Sequence, residues 1–331
     1  MSNDEAQRRV TTRREFLTLG TGVFVALSLP LSVRRHVVVS RRSVPLMGTI
    51  AEVQVAHADE RLAQRAIDAA IDELLGVERT MTRFRATSDI GRANVGAARD
   101  AVVIRPETAT VIVAALRWAS VSEGRFDPAL GSASELWDVL NRHEPPPEGR
   151  VQRLASRGFW SKVDLGRYRG VPAVRFEDAD VHLDLGGIAK GYGIDRAVAA
   201  LREHRIAHAI VTVGGDLYAL GTSPDGGPWR VGIRSPHDRN ALAATLEVSD
   251  RAVTTSGDYE RFFRWHGRTY HHLIDPGTGA PRLTPMHSAT VLGSDCMNAD
   301  AAATAVFGLP HDQAIAIVRR ILSDAEVVPL T

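Results

Sequence analysis

The chain has 331 residues, of which 44% are hydrophobic and 24% are charged, and its formal net charge at pH 7 is +1. Eight arginines and three acidic residues lie within residues 1–43, so residues 44–331 carry 32 basic and 36 acidic side chains. Nucleic acid binding requires a concentrated basic face, and none appears after residue 43, which argues against a nucleic-acid-binding protein. The single cysteine, Cys296, excludes an intrachain disulfide and a cysteine-based metal cluster.

The first segment with a recognisable pattern is TTRREFLTLGTGVFVALSLPLSV, in which Arg13 and Arg14 precede a moderately apolar run. This order resembles a twin-arginine export signal. Alternative interpretations are a short membrane anchor, which the length of the run just permits, and a core helix. We therefore expect residues 1–43 to form a signal or anchor with a linker, and residues 44–331 to form one domain at the outer face of the cytoplasmic membrane.

Strand and helix patterns alternate irregularly through the rest of the chain. The alternation of TIAEVQVA predicts a strand over residues 49–56, and apolar residues at three-to-four spacing from Leu62 onward predict an amphipathic helix. The polar segment EPPPEGR, residues 144–150, is typical of a surface loop. Because βα units do not repeat, we expect an α+β fold. Further strands are predicted at residues 209–215, 229–234, 268–274 and 288–293, and helices at 107–121, after GGIAKG, at 299–307 and at 311–322.

The segment VHLDLGGIAKGY, residues 181–192, predicts a strand that turns at two glycines into a helix. It contains Lys190, one of only two lysines in a chain with 40 basic residues. The free amides at a helix start attract phosphate, and a compact ammonium group beside them adds positive charge. The segment matches no standard phosphate-binding motif, so a tight turn with a solvated lysine is the alternative.

A second segment, NADAAATAVFGL, places Asp300 and Thr304 on one helical face. A carboxylate and a hydroxyl supply the oxygen ligands that Mg²⁺ prefers, and alanines around them permit close approach of a ligand. An aspartate that caps an alanine-rich helix is the alternative. A third segment, RTYHHLIDPGTGAP, places His271 and His272 at the end of a strand, where a histidine can take a proton from an attacking hydroxyl. The alternative is a sheet histidine with satisfied hydrogen bonds, followed by a turn aspartate.

Read together, eight segments resemble the ApbE family of FAD:protein FMN transferases, and they extend over nearly all of residues 44–310. In chain order they are MGT, MTRFRATSDIGRAN, GRFDPALGSASELW, LDLGGIAKGYGIDRAV, VTVGGDLYALG, TTSGDY, YHHLIDPGTG and NADAAATAVF. The resemblance implies an ApbE-type, T-fold-like α+β domain with mixed or antiparallel sheets and packed helices. It also implies that the protein uses FAD and Mg²⁺ to attach FMN to a Thr or Ser of an acceptor protein and releases AMP.

The resemblance also implies roles for individual residues. Magnesium would be held by the Gly187 carbonyl, Asp300 and Thr304, and the catalytic residues would be Lys190 and His272, with His271 the less favoured base. Ala129 stands where the family usually has Thr, and Ser-Ala-Ser replaces the usual Pro-Leu before Leu136 and Trp137. The implied FAD contacts are Met47, Phe84, Arg125, Phe126, Asp127, Asp184, Lys190 and Leu273.

In this interpretation, Lys190 and the metal ion stabilise the charge that builds on the FAD diphosphate as AMP leaves. Two alternatives use the same site. With water as the nucleophile, the protein would be an FAD pyrophosphatase that yields FMN and AMP. Without any chemistry, it would be an exported flavin-binding protein. A nicotinamide dehydrogenase is disfavoured because no dinucleotide fingerprint follows an early strand.

Overall fold

The structure, a computed structural model, describes residues 24–26, 37–235, 238 and 241–330. A seven-stranded antiparallel sheet forms its centre, in the order β17-β16-β11-β8-β7-β3-β2. Its strands in chain order are β2 Val38–Leu46, β3 Thr49–His57, β7 Ala209–Val213, β8 Asp216–Leu220, β11 Arg251–Gly257, β16 Ser288–Gly293 and β17 Glu326–Leu330.

Three helices cover one face of this sheet: α1 Glu60–Met81, α6 Ala189–Glu203 and α7 Cys296–Val306. On the other face lies a three-stranded sheet of β1 Phe24–Ala26, β9 Trp229–Arg234 and β10 Leu242–Val248. The alternation of a β-strand explains this layering, because Val211 faces the helices while its neighbour Ile210 faces the small sheet. The main core therefore lies between the central sheet and the helices.

The remaining elements surround this sandwich. A second three-stranded sheet has the order β4-β6-β5, and two short hairpins follow β11. These elements are α2 Asp89–Gly96, β4 Val102–Val103, α3 Pro106–Val121, α4 Gly131–Trp137, α5 Glu148–Leu154, β5 Val163–Tyr168, β6 Val171–Phe176, β12 Phe262–Trp265, β13 Arg268–His271, β14 Ile274–Asp275, β15 Ala280–Pro281 and α8 His311–Val318.

Two sequence-based predictions of local structure are wrong. The predicted strand before Gly186 is an extended segment outside the sheets, since its only ladder contact is a bridge between His182 and Leu130. Its amides bond instead to the 128–130 loop and to Asn94. The predicted loop 144–150 is a loop only as far as Pro147, because α5 begins at Glu148.

The proposed export segment lies largely outside the described residues. Of the apolar run after Arg14, the structure describes residues 24–26, which pair with β9. The central sheet begins at Val38, so residues 38–43, which the sequence analysis assigns to the linker, pair with β3. In the described part of the chain, no helix has the length and hydrophobicity to cross a membrane.

The contact between α6 and α7 depends on Gly191. A Cβ atom at this position would lie 2.1 Å from the Cys296 carbonyl oxygen, far inside contact distance. The absence of a side chain therefore lets the first turns of the two helices touch.

We predict that Gly191→Ala destabilises the protein by about 2 kcal/mol or more, because the backbone at the α6–α7 contact must move apart. Gly149→Ala is the matched control, since Gly149 is also helical and a Cβ there meets nothing within 4 Å. Urea unfolding followed by circular dichroism measures both variants. Equal stabilities would contradict the assigned role of Gly191.

Candidate active site

Lys190 is at the centre of a buried charge cluster. It lies in the first turn of α6, and its Nζ atom is 2.9 Å from both carboxylate oxygens of Asp300 and 2.7 Å from Oδ2 of Asp216. The Asp216 and Asp300 side chains are 2% and 4% exposed. Although burial opposes the charged form, the two carboxylates raise the pKa of Lys190 above its usual value. The predicted lysine at the helix start is therefore an ion-paired group and not a solvated one.

Helix α7 brings the two predicted side-chain metal ligands to this cluster. Asp300 and Thr304 are one turn apart, and Asp300 Oδ2 also accepts a hydrogen bond from the Gly191 amide. A Cβ atom on Gly187 would be 3.1 Å from the Thr304 hydroxyl, so the Gly187 backbone lies against that hydroxyl. The Ser256 hydroxyl is 3.0 Å from the same oxygen. The structure thus brings together all three predicted magnesium ligands.

The donor set at this position fits a hard divalent cation. A carboxylate, a hydroxyl and a backbone carbonyl are all oxygen ligands, which Mg²⁺ prefers over nitrogen and sulfur. Within the described residues, no group of three or more His, Cys, Asp or Glu side chains is arranged to hold a metal. A metal ion here would consequently depend on the Thr304 hydroxyl and the Gly187 carbonyl as well as on Asp300.

Helix α7 is fixed at both ends. Its first amides, those of Cys296 and Met297, donate to the Asp195 carboxylate at 2.8 and 2.9 Å. At its other end, Arg125 donates to the Phe307 carbonyl at 3.0 Å, and Arg282 donates to the same carbonyl at 2.8 Å. These bonds satisfy backbone groups that a helix leaves without partners. The position of the metal ligands on α7 is therefore set from both ends of the helix.

The two adjacent histidines differ in the hydrogen-bond partners of their ring nitrogens. His271 is 5% exposed, accepts the Leu273 amide on Nδ1 and contacts the Arg282 carbonyl through Nε2, so both of its ring nitrogens have partners. His272 contacts the Arg261 carbonyl through Nδ1 at 3.3 Å. If Nδ1 carries the proton for that bond, Nε2 of His272 has a free lone pair. The geometry favours His272 over His271 as the base.

His272 is also electrostatically linked to the lysine cluster. Burial, followed by the positive charges of Arg261, His271 and Lys190, lowers the pKa of His272 to about 3. The side chain is therefore neutral at neutral pH.

Met47 lies at the tight turn between β2 and β3, on the side of the site that holds Arg261. Its φ is +51°, and its amide donates to Glu78 at 2.8 Å. The Arg261 guanidinium approaches the Met47 carbonyl at 3.5 Å. Because the Arg261 carbonyl bonds to His272, this arginine connects the Met47 turn to the candidate base. Leu273, another predicted flavin contact, directly follows His272 in the chain and is buried.

Phe84 and Asp184 are joined by Arg83. The Phe84 side chain is 79% exposed, and the Arg83 guanidinium lies over its ring at 4.3 Å. Arg83 also pairs with Asp184 at 3.1 Å and with Glu135 at 3.3 Å. An exposed aromatic ring supported on one face by a held cation can stack a planar group on its other face. The arrangement is compatible with the predicted roles of both residues.

The segment Arg125 to Asp127 contacts Gly187 and the end of α7. Phe126 is buried, and its ring would be 3.2 Å from a Cβ atom on Gly187. The Arg125 guanidinium binds carbonyls at the end of α7. Burial raises the pKa of Asp127 to about 6 against the effect of backbone amides, including that of Ala129. The predicted flavin-binding roles of these three residues stay predictions.

Four residues that shape the site have no functional role predicted from the sequence. Asp216 and Ser256 lie in the quoted segments VTVGGDLYALG and TTSGDY, where a glycine-flanked aspartate and a strand serine are typical of ordinary turn and strand chemistry. Asp195 and Arg282 act on the ends of α7 from residues far away in the sequence. No local pattern indicates such long-range contacts.

The antiparallel sheet, the helices on it and the lysine–carboxylate cluster between two of them define an α+β domain with an oxygen-lined polar site. The chain belongs to the ApbE family, whose model matches residues 47–328. A relative named FAD:protein FMN transferase, from Treponema pallidum, is 33% identical over 295 residues, which cover 84% of this chain and 81% of that protein. The family resemblance of the eight segments is confirmed.

Solved structures agree with this assignment. The flavin transferase ApbE from Vibrio cholerae has a TM-score of 0.74 and 27% identity, covering 88% of this chain and 93% of that chain. The ApbE protein from Thermotoga maritima has a TM-score of 0.79 and 26% identity, covering 88% of this chain and 94% of that chain. The predicted α+β class is therefore confirmed.

We predict that His272 makes the protein sensitive to acid. The unfolded chain binds a proton at His272 near pH 6.5, whereas the folded protein binds it only near pH 3, so stability falls as the pH drops below about 6.5. Between about pH 7.5 and 5, the wild type should lose about 1–2 kcal/mol more than His272→Gln does. Urea unfolding at both pH values measures this difference. Parallel pH dependence in the two proteins would contradict it.

Proposed function

We propose that the protein is a Mg²⁺-dependent FAD:protein FMN transferase that joins the FMN portion of FAD to a Thr or Ser of an acceptor protein by a phosphoester bond and releases AMP. One observation carries the proposal: four residues with predicted roles in diphosphate cleavage, Gly187, Lys190, Asp300 and Thr304, meet at one point. The relatives' name, FAD:protein FMN transferase, supports the transfer of FMN from FAD to a protein, and the site contains groups suited to such a transfer.

In this reaction, the acceptor hydroxyl loses its proton to Nε2 of His272. A bond forms between the acceptor oxygen and the FMN phosphorus. The bond from that phosphorus to the bridging oxygen breaks, and the oxygen leaves with its electron pair as part of AMP. His272 suits the role because it is neutral and its Nδ1 is held by the Arg261 carbonyl.

The other residues bind and orient the diphosphate. Bound Mg²⁺, held by Asp300, Thr304 and the Gly187 carbonyl, would neutralise diphosphate oxygens. Lys190 would place its ammonium group against the negative charge that develops as AMP departs. One such donor in a water-poor site is worth about 3 kcal/mol of barrier. Phe84 would stack a ring of FAD on its free face, with Arg83 fixed behind it.

The test is incubation of the protein with FAD, MgCl₂ and a candidate exported flavoprotein. Peptide mass spectrometry should find FMN on a Thr or Ser of the acceptor, with one AMP released for each adduct, and EDTA should abolish both. Free FMN with unmodified acceptor would identify an FAD pyrophosphatase instead. Bound, uncleaved FAD would identify a flavin-binding protein.

His272→Ala should slow transfer by about 100-fold or more and leave FAD affinity unchanged, because the base is lost while the binding groups stay. His311→Ala is the control, since His311 is exposed at the start of α8. Transfer rates come from single-turnover assays and FAD affinity from fluorescence titration. A wild-type transfer rate in His272→Ala would remove His272 from the mechanism.

We also propose that the protein is exported by the twin-arginine route and acts at the outer face of the cytoplasmic membrane, with retention of the N-terminal segment as an anchor as an alternative to its cleavage. The support is the Arg13-Arg14 pair before the apolar run. Arg13→Lys/Arg14→Lys should keep the full-length protein in the cytoplasm. Cell fractionation and immunoblotting measure this, and unchanged export would reject the route. Membrane retention of wild-type protein would distinguish an anchor from a cleaved signal.

A further inference from the structure

The lysine cluster contains one more carboxylate than the proposed metal site needs. Asp216 begins β8, directly after Gly214 and Gly215, and lies 2.7 Å from the Lys190 ammonium. Its Oδ1 accepts a hydrogen bond from the Thr255 amide at 3.3 Å. Asp216 therefore approaches Lys190 from the central sheet, whereas Asp300 approaches it from helix α7.

The charges in this cluster do not balance. Among the ion pairs of the described residues, Lys190 is the cation that pairs with Asp216 and with Asp300. With both carboxylates ionised, two carboxylates and one ammonium group leave one excess negative charge in a largely buried space. Such a charge is unfavourable and is relieved by a proton on Asp216, whose pKa is raised by burial, or by the entry of a cation.

The two carboxylates differ in whether a bound divalent cation would displace Lys190 from them. Both Asp300 oxygens are 2.9 Å from Nζ, so a divalent cation that takes them competes directly with the ammonium group. Asp216 contacts Nζ through its Oδ2 atom, and it lies on strand β8 whereas Asp300 lies on helix α7. Lys190 can consequently leave Asp300 without losing every carboxylate partner.

We propose that Asp216 is a positioning residue that retains the Lys190 ammonium group when a divalent cation occupies Asp300. The inference rests on the magnesium site of the proposed function and adds a fourth residue to it. In the cation-bound protein, Asp216 holds the Lys190 ammonium group in place and directs it toward the bound diphosphate. Without Asp216, the entering cation would have to displace Lys190 from its last carboxylate.

The proposal predicts the effect of Asp216→Asn on metal binding. The substitution keeps the size of the side chain and removes one negative charge next to the divalent site, so Mg²⁺ affinity should fall by about tenfold or more. Asp216→Glu restores the charge and should restore most of the affinity. Isothermal titration of MgCl₂ into the protein, with FAD and acceptor omitted, measures the affinity.

Lys190 itself can be observed directly, because the chain has only two lysines. Labelling with ¹³Cε,¹⁵Nζ-lysine gives two side-chain NMR signals, and Lys162, which pairs with Asp178 at 2.8 Å, serves as the internal reference. In the wild type, saturating Mg²⁺ should shift the Lys190 ¹⁵Nζ signal while its ammonium protons stay slow to exchange with water, because Asp216 still holds them. In Asp216→Asn, saturating Mg²⁺ should make these protons exchange as fast as those of a solvated lysine.

Asp89→Asn is the matched control, since Asp89 is another buried aspartate but pairs with Arg92 and Arg105 instead of Lys190. It should lower stability without changing how Mg²⁺ affects Lys190. Unchanged or tighter Mg²⁺ binding in Asp216→Asn would overturn the proposal, as would a wild-type Lys190 signal that does not respond to Mg²⁺. Weaker Mg²⁺ binding with an undisturbed Lys190 signal would make Asp216 a direct metal ligand and also overturn the positioning role. Failure of flavin transfer would leave these measurements unaffected, because they contain no flavin.

Discussion

The close approach of α6 and α7 at Gly191 is the constraint on which the site depends. With no side chain between the helices, the first turn of α6 lies against α7, and Lys190 reaches Asp300. The Gly191 amide bonds to the same carboxylate, so one residue both permits the contact and fixes the acidic group. The close packing of α6 against α7 thus determines where the charged groups Lys190 and Asp300 lie.

That packing concentrates charge where water is scarce. Burial and the neighbouring Asp300 charge raise the pKa of Asp216 to about 7, and Lys190 acts in the opposite direction. Asp216 is therefore close to half protonated at neutral pH, and its ionisation responds strongly to any charge that enters.

Much of the fold could be predicted from local pattern. The strands at residues 229–234 and 288–293 have the predicted bounds, and the helix that contains Leu62 runs from Glu60 to Met81. Strand β11 was missed because most of its residues are buried on both faces, so no alternation marks it. The 181–185 segment does alternate in burial, but its partners are the 128–130 loop and Asn94 of helix α2 instead of a neighbouring strand.

The site could be predicted only as far as family resemblance and helical spacing allow. Spacing places Asp300 and Thr304 on one face, and the resemblance adds Gly187, which the structure sets beside them. Asp216 belongs to a strand far away in the sequence, and nothing local distinguishes it from a turn aspartate. Contacts between distant elements arise from tertiary packing, which a single sequence does not display.

The two arginines at the end of α7 have a mechanical consequence. Arg282 donates hydrogen bonds to the Arg125 carbonyl and to the Phe307 carbonyl. One side chain therefore joins the loop that starts at Arg125 to the end of the helix that carries Thr304. Because one planar guanidinium group makes both bonds, a movement of that loop would have to break one of them or carry the end of the helix with it.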